Sequence, residues 1–285
     1  MKLRGLFFFN FFLRYYMILI ILLTIILVFY IFNIYIVNKV KSHKVSVIIL
    51  NYNRPHNLKY SIPKLIKYNI IDDIIISHGK ADTFVNFRDK KVRNFKDYKL
   101  DTLYGGARRY IRSNETKNNI ILFIDDDMLP SEFLINYAVY KLVSNNKNTI
   151  YGAYSRYCYK DGYSWKSYKK KGNYNFKGKI SNAVITNFLI CKKNLIQNFL
   201  NHKDGFKKYK SWYLKNKGNC EDLSLSLFIK SYYNEYPESL TSLESYEHIL
   251  MKLFIKKLDE KNGYSSNKNH LQIRNNFCKL YNISK

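Results

Sequence analysis

The sequence predicts an α/β fold with a mainly parallel central sheet, preceded by one apolar helix at the amino terminus. A strand, helix, strand succession with short joints over 45–77 favours the sheet. So does the continuous apolar run 120–124, which is typical of a strand buried on both faces. The stretch 15–37 carries no charge and exceeds the roughly 20 apolar residues that cross a bilayer. The 285 residues therefore predict one core behind one anchor.

These features divide the chain into four segments. Residues 1–14 form a short basic tail, 15–37 a transmembrane signal anchor, 38–44 a short stem, and 45–285 the folded domain. We expect no cleavable signal peptide, because the apolar core is too long and no small-residue cleavage site follows it. Basic residues flank both ends of the span, so the positive-inside rule alone leaves the orientation open.

The charge balance is strongly basic, with 48 Lys and Arg residues against 21 Asp and Glu residues and a formal net charge of +27. Such an excess suggests nucleic acid, a membrane surface or an anionic polymer as partners. The lysines are scattered along the chain, and no zinc finger or RNA-binding motif is visible. We therefore expect no nucleic-acid partner.

The four cysteines lack metal-ligand spacing such as Cys-x-x-Cys. They are Cys158, Cys191, Cys220 and Cys278. They are either buried thiols or form one or two disulfides in an oxidising lumen. The tripeptides at 114–116 and 282–284 match the N-glycosylation pattern. Together these features favour a lumenal domain behind a type II anchor.

The domain is predicted to open with a strand at 45–50, which Pro55 ends, and a helix after it. A second strand at 73–77 then closes on His78 and Gly79. In an open parallel sheet, ligands bind beyond the carboxyl ends of the strands. Asn53 and Arg54 therefore fall on the ligand edge.

A glycine pair, Gly105 and Gly106, runs into a predicted helix that carries Arg108 and Arg109. Glycine lets the backbone approach a ligand closely, and the arginine fork matches phosphate geometry. Either arginine could clamp a diphosphate. The alternative is an exposed basic helix face.

Three acids, Asp125, Asp126 and Asp127, directly follow the strand at 120–124. Two unit charges about 5 Å apart repel by roughly 3 kcal/mol at an effective dielectric near 20, and a divalent cation removes that cost. Carboxylate oxygens suit Mg²⁺ or Mn²⁺, which share their coordination with substrate phosphates. The run therefore predicts a metal that bridges the protein to a nucleotide diphosphate. The alternative is a solvated turn that caps a helix opening at 130–132.

Beyond these acids the pattern is looser. Strands are predicted at 150–155 and 183–191. The aromatic and basic stretch between them, 156–179, suits stacking on sugar rings or binding of an anionic chain or nucleic acid. The alternative is a surface loop of biased composition. A second acidic site lies at 219–222, ahead of a predicted helix. There Asn219 would cap the helix and the acids would occupy its first turn, so a purely structural role is the alternative.

The order of these motifs resembles the exostosin-type glycosyltransferase domain over about 45–285. This family includes the heparan sulfate N-acetylhexosaminyltransferases. The motifs that carry the resemblance are Asn53-Arg54-Pro55, Asp125-Asp126-Asp127, Asn219-Cys220-Glu221-Asp222, and Gly263-Tyr264-Ser265 ahead of His270, Arg274 and Cys278. The resemblance implies a GT-A fold of three α/β/α layers, type II topology in the Golgi or ER, and Mn²⁺ (or Mg²⁺). It also implies transfer of a hexosamine, GlcNAc or GalNAc, from a UDP-sugar to a glycan or glycoprotein acceptor with retention.

The resemblance also implies roles for individual residues. Arg54 would hold the uridine diphosphate, Asp125 and Asp126 would face the ribose and metal-bound waters, Asp127 would ligate the metal directly with Asp125 beside it, and Asp222 and Arg274 would be catalytic. Asn53, at the ligand edge, and Arg108 and Arg109, which stand where the family has a different element, are expected from the residues themselves to bind the nucleotide sugar. Asp222 would lie beside the anomeric carbon, and Arg274 would hold the donor sugar or the leaving phosphate. Cys220 and Cys278 would form a disulfide. An inverting enzyme would instead use Asp222 as general base, and the residues alone leave this choice open.

Two other classes fit parts of the pattern. A metal-dependent phosphotransferase or phosphohydrolase also places acids at strand ends. A membrane-tethered protein that binds polyanions would use the charge alone, and its binding would fall steeply with salt. The sequence leaves the acceptor, the linkage and the oligomeric state open.

Overall fold

The structure is a computed structural model that describes residues 2–165, 181–241, 247–259 and 269–281. The chain forms two compact units, Met1–Ser42 and His43–Lys285. The first unit contains helix α1 (Lys2–Val40). Within it Tyr15–Val40 is long and apolar enough to cross a membrane, with a mean hydropathy of 2.9. The predicted apolar helix is therefore present.

The second unit alternates strands and helices. Its strands are β1 (Val45–Asn51), β2 (Ile71–His78), β3 (Val92–Lys96), β4 (Ile120–Asp125), β5 (Met128–Pro130), β6 (Tyr151–Gly152), β7 (Ser155–Tyr159), β8 (Gly162–Trp165), β9 (Ala183–Val184), β10 (Phe188–Lys192), β11 (Glu238–Ser239) and β12 (Ile255–Lys257). Its helices are α2 (Pro55–Leu65), α3 (Tyr98–Tyr104), α4 (Arg108–Arg112), α5 (Glu132–Ser144), α6 (Lys193–Asn201), α7 (Phe206–Asn216), α8 (Glu221–Tyr233), α9 (Glu247–Phe254) and α10 (His270–Tyr281).

Seven of the described strands form one sheet in the order β11-β6-β10-β4-β1-β2-β3. Strand β1 lies between β2 and β4 and is parallel to both, and β3 is parallel to β2. Strand β10 runs antiparallel to β4. The predicted fold class, α/β with a mainly parallel central sheet, is confirmed.

The central strands are apolar on both faces because both faces are covered. Ile48 of β1 is paired with Ile75 of β2 on one side and Phe123 of β4 on the other, and all three are buried. Aromatic side chains from the helices complete this core, with Tyr110 packing edge to face against Phe123 and Phe199. Such pairs contribute about 1 kcal/mol beyond their buried area.

The register of the sheet brings the polar strand ends to one edge. Leu50 is paired with Asp125, and Asn51 with His78. Since Asn53 and Arg54 follow β1 immediately, they lie at the same edge as the three acids. This is the arrangement that the sequence predicts.

A crossing of two glycine turns brings the segment before α4 against the segment before α8. Gly105 has φ +45°, and a Cβ there would lie 1.8 Å from the carbonyl oxygen of Lys217. Gly218 has φ +71°, and its Cβ would lie 1.7 Å from the carbonyl oxygen of Tyr104. Only glycine allows both the left-handed backbone and this approach. Gly105, from the pair predicted to face a ligand, and Gly218 therefore allow two segments of the chain to pack together, which places Arg109 near Glu221.

Two predicted strands are wrong as single elements. The segment predicted at 150–155 is divided between β6 and β7, and the segment at 183–191 between β9 and β10. The reason is that β6 and β10 belong to the central sheet, whereas β7 and β9 pair with β8 in a separate three-stranded sheet. The chain changes sheets twice within runs that read as continuous.

The implied Cys220–Cys278 disulfide is also wrong. Cys278 instead bonds Cys158, with the two Cα atoms 5.2 Å apart, whereas Cys191 and Cys220 are buried free thiols. The cause is the packing of α10 against the hairpin of β7 and β8, which turns Cys278 toward β7.

Some of the predicted features lie outside the described residues. They are the motif at 263–265, the glycosylation tripeptide at 282–284 and most of the basic stretch at 156–179.

Candidate active site

The three acids of the strand-end motif differ in their environments. Asp125 ends β4 and Asp127 precedes β5, and their side chains are 35% and 18% exposed. Asp126 is only 4% exposed. Burial raises the pKa of Asp126 to about 7, although the Arg54 charge opposes the shift. The outer two carboxylates are therefore the ones that open toward a ligand.

Arg54 binds two of these acids at once. Its guanidinium pairs with Asp126 and donates a hydrogen bond of 2.7 Å to Asp127 Oδ2. The residue precedes α2, and Pro55 occupies the first turn of that helix. Arg54 thus neutralises part of the acidic run from the direction of β1, at the edge where a diphosphate is expected.

Arg109 connects the two acidic sites. Its Nη2 donates to Asp125 Oδ1 at 2.9 Å and lies 3.9 Å from Glu221 Oε1. Its Nη1 donates to the carbonyl of Thr186 at 2.9 Å. Because Glu221 directly precedes Asp222, this buried guanidinium brings the strand-end acids and the second acidic motif into one site.

Glu221 lies in the candidate site, although the sequence analysis gave it no role of its own. Its carboxylate accepts a hydrogen bond of 3.0 Å from Thr186 Oγ1, and a Cβ on Gly106 would lie 3.1 Å from Oε1. Burial, followed by the charge of Asp222, raises the pKa of Glu221 to about 7. The signal available in the sequence was its position beside Asp222.

Asp222 is held by Arg274 from α10. The two side chains form a buried ion pair, and Asp222 Oδ1 also accepts from the backbone N–H of Leu223 at 2.8 Å. The guanidinium of Arg274 lies over the ring of Tyr163, 4.5 Å from its centroid. Asp222 and Arg274, the two residues expected to be catalytic, are therefore in direct contact.

The predicted capping of α8 by Asn219 is not observed. Cys220 occupies the cap position with φ +73° and makes no side-chain cap hydrogen bond. The Asn219 amide instead lies 3.4 Å from His270 Nδ1. Burial and the Arg274 charge lower the pKa of His270 to about 4, so its ring is neutral at pH 7.

Arg108 is enclosed by protein acceptors and does not join the acids. It donates to Ser77 Oγ at 2.9 Å and to the carbonyl of Gly105 at 2.8 Å, and it pairs with Asp101. Its side chain is 3% exposed. Of the two arginines proposed as a diphosphate clamp, Arg109 is therefore the one that contacts the acidic run.

Asn53 has a partner that the sequence analysis missed. Its Oδ1 accepts a hydrogen bond of 2.8 Å from Lys80, whose ammonium also lies 4.2 Å from the centroid of the Tyr52 ring. Lys80 directly follows His78 and Gly79 at the end of β2, and that position was the available signal. A cation therefore stands beside Asn53 at the ligand edge.

The carboxylates of Asp125 and Asp127 fit a Mn²⁺ or Mg²⁺ ion that takes only one or two of its ligands from the protein. Among the described residues, no group of three or more His, Cys, Asp or Glu side chains gathers as a closed metal site. Such ions often take one or two carboxylates and complete their shell with water and substrate phosphates. Asp127 and Asp125 supply hard oxygen donors of this kind. A bound ion would neutralise negative charge on a departing diphosphate.

Residues 45–282 match the Glycosyl transferase family 64 domain. The chain belongs to this family. It is a glycosyltransferase of the GT-A type, and the family domain covers nearly everything after the apolar helix. Comparison with curated proteins gave no match.

Solved structures that resemble this family 64 domain are glycosyltransferases. Glucosyl-3-phosphoglycerate synthase from Mycobacterium tuberculosis, in complex with Mn²⁺ and UDP-glucose, is 12% identical with a TM-score of 0.46, and the match covers 73% of each chain. A mannosyltransferase from Pyrobaculum calidifontis, in complex with GDP-Man and Mn²⁺, is 11% identical with a TM-score of 0.46. That match covers 85% of this chain and 65% of the other. At these values the likeness assigns no role to any residue here.

Proposed function

We propose that this family 64 glycosyltransferase is of the exostosin type. In this proposal it transfers a hexosamine, GlcNAc or GalNAc, from a UDP-sugar to a glycan acceptor with retention, and it depends on Mn²⁺ or Mg²⁺. It is anchored by residues 15–37, with the catalytic domain in the lumen of the Golgi or ER.

The contact of Arg109 with both acidic motifs carries this proposal. One guanidinium lies 2.9 Å from Asp125 and 3.9 Å from Glu221, and Glu221 adjoins Asp222. A donor whose diphosphate lies at the strand-end acids would therefore extend its sugar toward Asp222. Burying a guanidinium is costly unless carboxylates compensate its charge. Asp125 and Glu221 both lie near the buried guanidinium of Arg109, which supports a single site that contains both acidic motifs.

The residues of the site then have distinct tasks. Asp127 and Asp125 would hold the cation, and Arg54 and Arg109 would add positive charge where the diphosphate departs. Asp222, which is paired with Arg274, faces the sugar carbon and stabilises its developing positive charge. In retention the acceptor hydroxyl attacks from the face that the diphosphate leaves. Its oxygen bonds to the sugar carbon as the bond from that carbon to the diphosphate breaks, and the departing diphosphate oxygen takes the hydroxyl proton, so Asp222 is not needed as the base.

The Cys158–Cys278 bond supports the lumenal placement. Disulfides persist in oxidising compartments and are rare in the cytosol. The bond joins β7 to α10 across 120 residues of the domain. A type II anchor places this domain on the oxidising side.

The experiment is a panel of UDP-sugars offered to the full chain in detergent, with and without glycan acceptors. We expect Mn²⁺-dependent UDP release with UDP-GlcNAc or UDP-GalNAc, which chelation by EDTA abolishes and an acceptor accelerates. Release of inorganic phosphate without a sugar acceptor would instead identify a phosphohydrolase. Turnover with UDP-glucose only would overturn the hexosamine assignment.

A further inference from the structure

The hairpin formed by β7 and β8 grips one turn of α10 through three different contacts. Cys158 of β7 is bonded to Cys278. The backbone N–H of Tyr163 in β8 donates to Asn275 Oδ1 at 2.8 Å. The Tyr163 ring lies under the Arg274 guanidinium, 4.5 Å from ring centroid to carbon. The residues gripped on α10 are within 274–278, so the turn that is held is the turn that carries Arg274.

The hairpin is itself fixed to the domain. The Asn182 amide binds the backbone of Cys158 on both sides, donating to its carbonyl at 2.7 Å and accepting from its N–H at 2.8 Å. Next to Asn182, β9 pairs with β7 and contacts α8. Helix α8 begins at Glu221 and carries Asp222. It therefore contacts α10 in two ways, directly through the Asp222–Arg274 pair and indirectly through β9 and the hairpin.

Arg274 needs this support because its own polar contacts are few. It is 5% exposed, its charge is paired with Asp222, and its Nε has no hydrogen-bond acceptor among the described residues. A guanidinium held by one carboxylate can rotate about that contact. An aromatic face beneath it restricts the rotation, and the attraction between the cation and the ring is strongest where water is excluded.

We propose that Tyr163 is a positioning residue. Together with the Cys158–Cys278 bond and the hydrogen bond to Asn275, contacts that we call the clasp, its ring sets the orientation of Arg274 and, through Arg274, of Asp222. This inference rests on the role proposed above for Asp222. Tyr163 acts on the reaction only through Arg274, so its loss should lower the rate of transfer and leave donor binding intact.

The test compares Tyr163→Leu, Tyr163→Phe and a matched control, Tyr209→Leu, in the full chain. Tyr209 is a buried tyrosine that packs on the same helix through Phe277 and Tyr281, whereas the ring that lies under Arg274 is that of Tyr163. We expect Tyr163→Leu to lower kcat about tenfold with KM for the donor unchanged, because the ring face is lost. Tyr163→Phe keeps the aromatic ring under Arg274 and should have the kcat of the wild type.

A second readout does not depend on turnover. Cys220 and Cys191 are both buried free thiols, but Cys220 adjoins Glu221 and Asp222, whereas Cys191 lies in β10 of the central sheet. Local loosening at the clasp should speed maleimide labelling of Cys220 by about threefold or more and leave Cys191 protected, because sub-global opening is confined to the weakened region. Global loosening would speed both.

Three results would overturn the proposal. They are unchanged kcat and Cys220 labelling in Tyr163→Leu, equal acceleration of Cys220 and Cys191, and a kcat loss in Tyr209→Leu as large as in Tyr163→Leu. If the wild-type chain turned over no UDP-sugar, the proposed function would fail, and the two labelling rates would still decide whether Tyr163 holds this junction.

Discussion

The guanidinium of Arg109 lies 2.9 Å from the carboxylate of Asp125, and this contact joins the end of a central strand to a short helix on the sheet. The same guanidinium reaches Glu221 at 3.9 Å. The fold therefore uses one arginine to hold together two acidic motifs that are far apart in the sequence.

Replacing Arg109 by Gln should impair both halves of this site. The variant leaves Asp125 and Glu221 without their shared cation, and we expect it to lose about 2 kcal/mol of stability, since one of the two acids is partly solvated. Transfer should fall about 100-fold in kcat/KM, because charge stabilisation is lost where it develops. Denaturant unfolding and steady-state kinetics measure the two effects. If the variant had wild-type kinetics, Arg109 would not join the two acidic motifs into one functional site.

Replacing Asp127 by Ala should abolish Mn²⁺-dependent binding of UDP, because the cation would lose the direct ligand that we propose for it. Titration calorimetry of UDP with and without Mn²⁺ measures this. Asp89→Ala serves as the control, since Asp89 lies just before β3 and its carboxylate accepts from the backbone N–H of Lys91. An Asp127→Ala variant that kept the Mn²⁺-dependent affinity would show that the metal lies elsewhere.

Glu221 should make stability fall as the pH rises. Its pKa is about 7 in the folded chain against 4.5 as the reference value, so the folded state binds the proton more tightly than the unfolded state. The contribution of this group is thus fully present below about pH 4.5 and is lost as the pH approaches 7. Glu221→Gln keeps the side-chain shape and should remove this component. Urea unfolding at pH 5 and pH 7.5 in EDTA measures it, with Glu235→Gln as the control.

The disulfide should be found between Cys158 and Cys278, with Cys191 and Cys220 as thiols. Peptide mapping under non-reducing conditions reads the pairing directly. The Cys158→Ala, Cys278→Ala double variant should lose about 3 kcal/mol of stability, because a long loop in the unfolded chain is no longer closed. A mapped bond between Cys220 and Cys278 would contradict the packing of α10 against the hairpin.

The sequence predicts the centre of the fold well for a physical reason. Strands β1, β2 and β4 are buried on both faces, so their apolar runs are unbroken and their ends are marked by polar residues. Parallel strands align their carboxyl ends, and this places Arg54 beside Asp127 without any knowledge of the remaining chain.

The parts that the sequence did not predict depend on contacts between distant segments. Cysteine connectivity cannot be deduced from spacing, and Cys278 had three candidate partners. The changes of sheet between β6 and β7 and between β9 and β10 leave the apolar pattern unchanged. The roles of Glu221 and Lys80 depend on ion pairs and hydrogen bonds with residues from other elements, which no local pattern records.

The most direct test of the single-site account is the Asp222→Asn variant, measured for both UDP binding and sugar transfer in the presence of Mn²⁺. We predict that the variant binds UDP as the wild type does and loses transfer by about 100- to 1,000-fold, the range expected when a charge-stabilising group is removed from a reacting centre. Asparagine preserves the shape of the side chain and can still accept a hydrogen bond from Arg274, and unchanged UDP binding in the variant would report that the fold is intact. Full transfer activity in Asp222→Asn would contradict the account and reduce this carboxylate to a structural partner of Arg274.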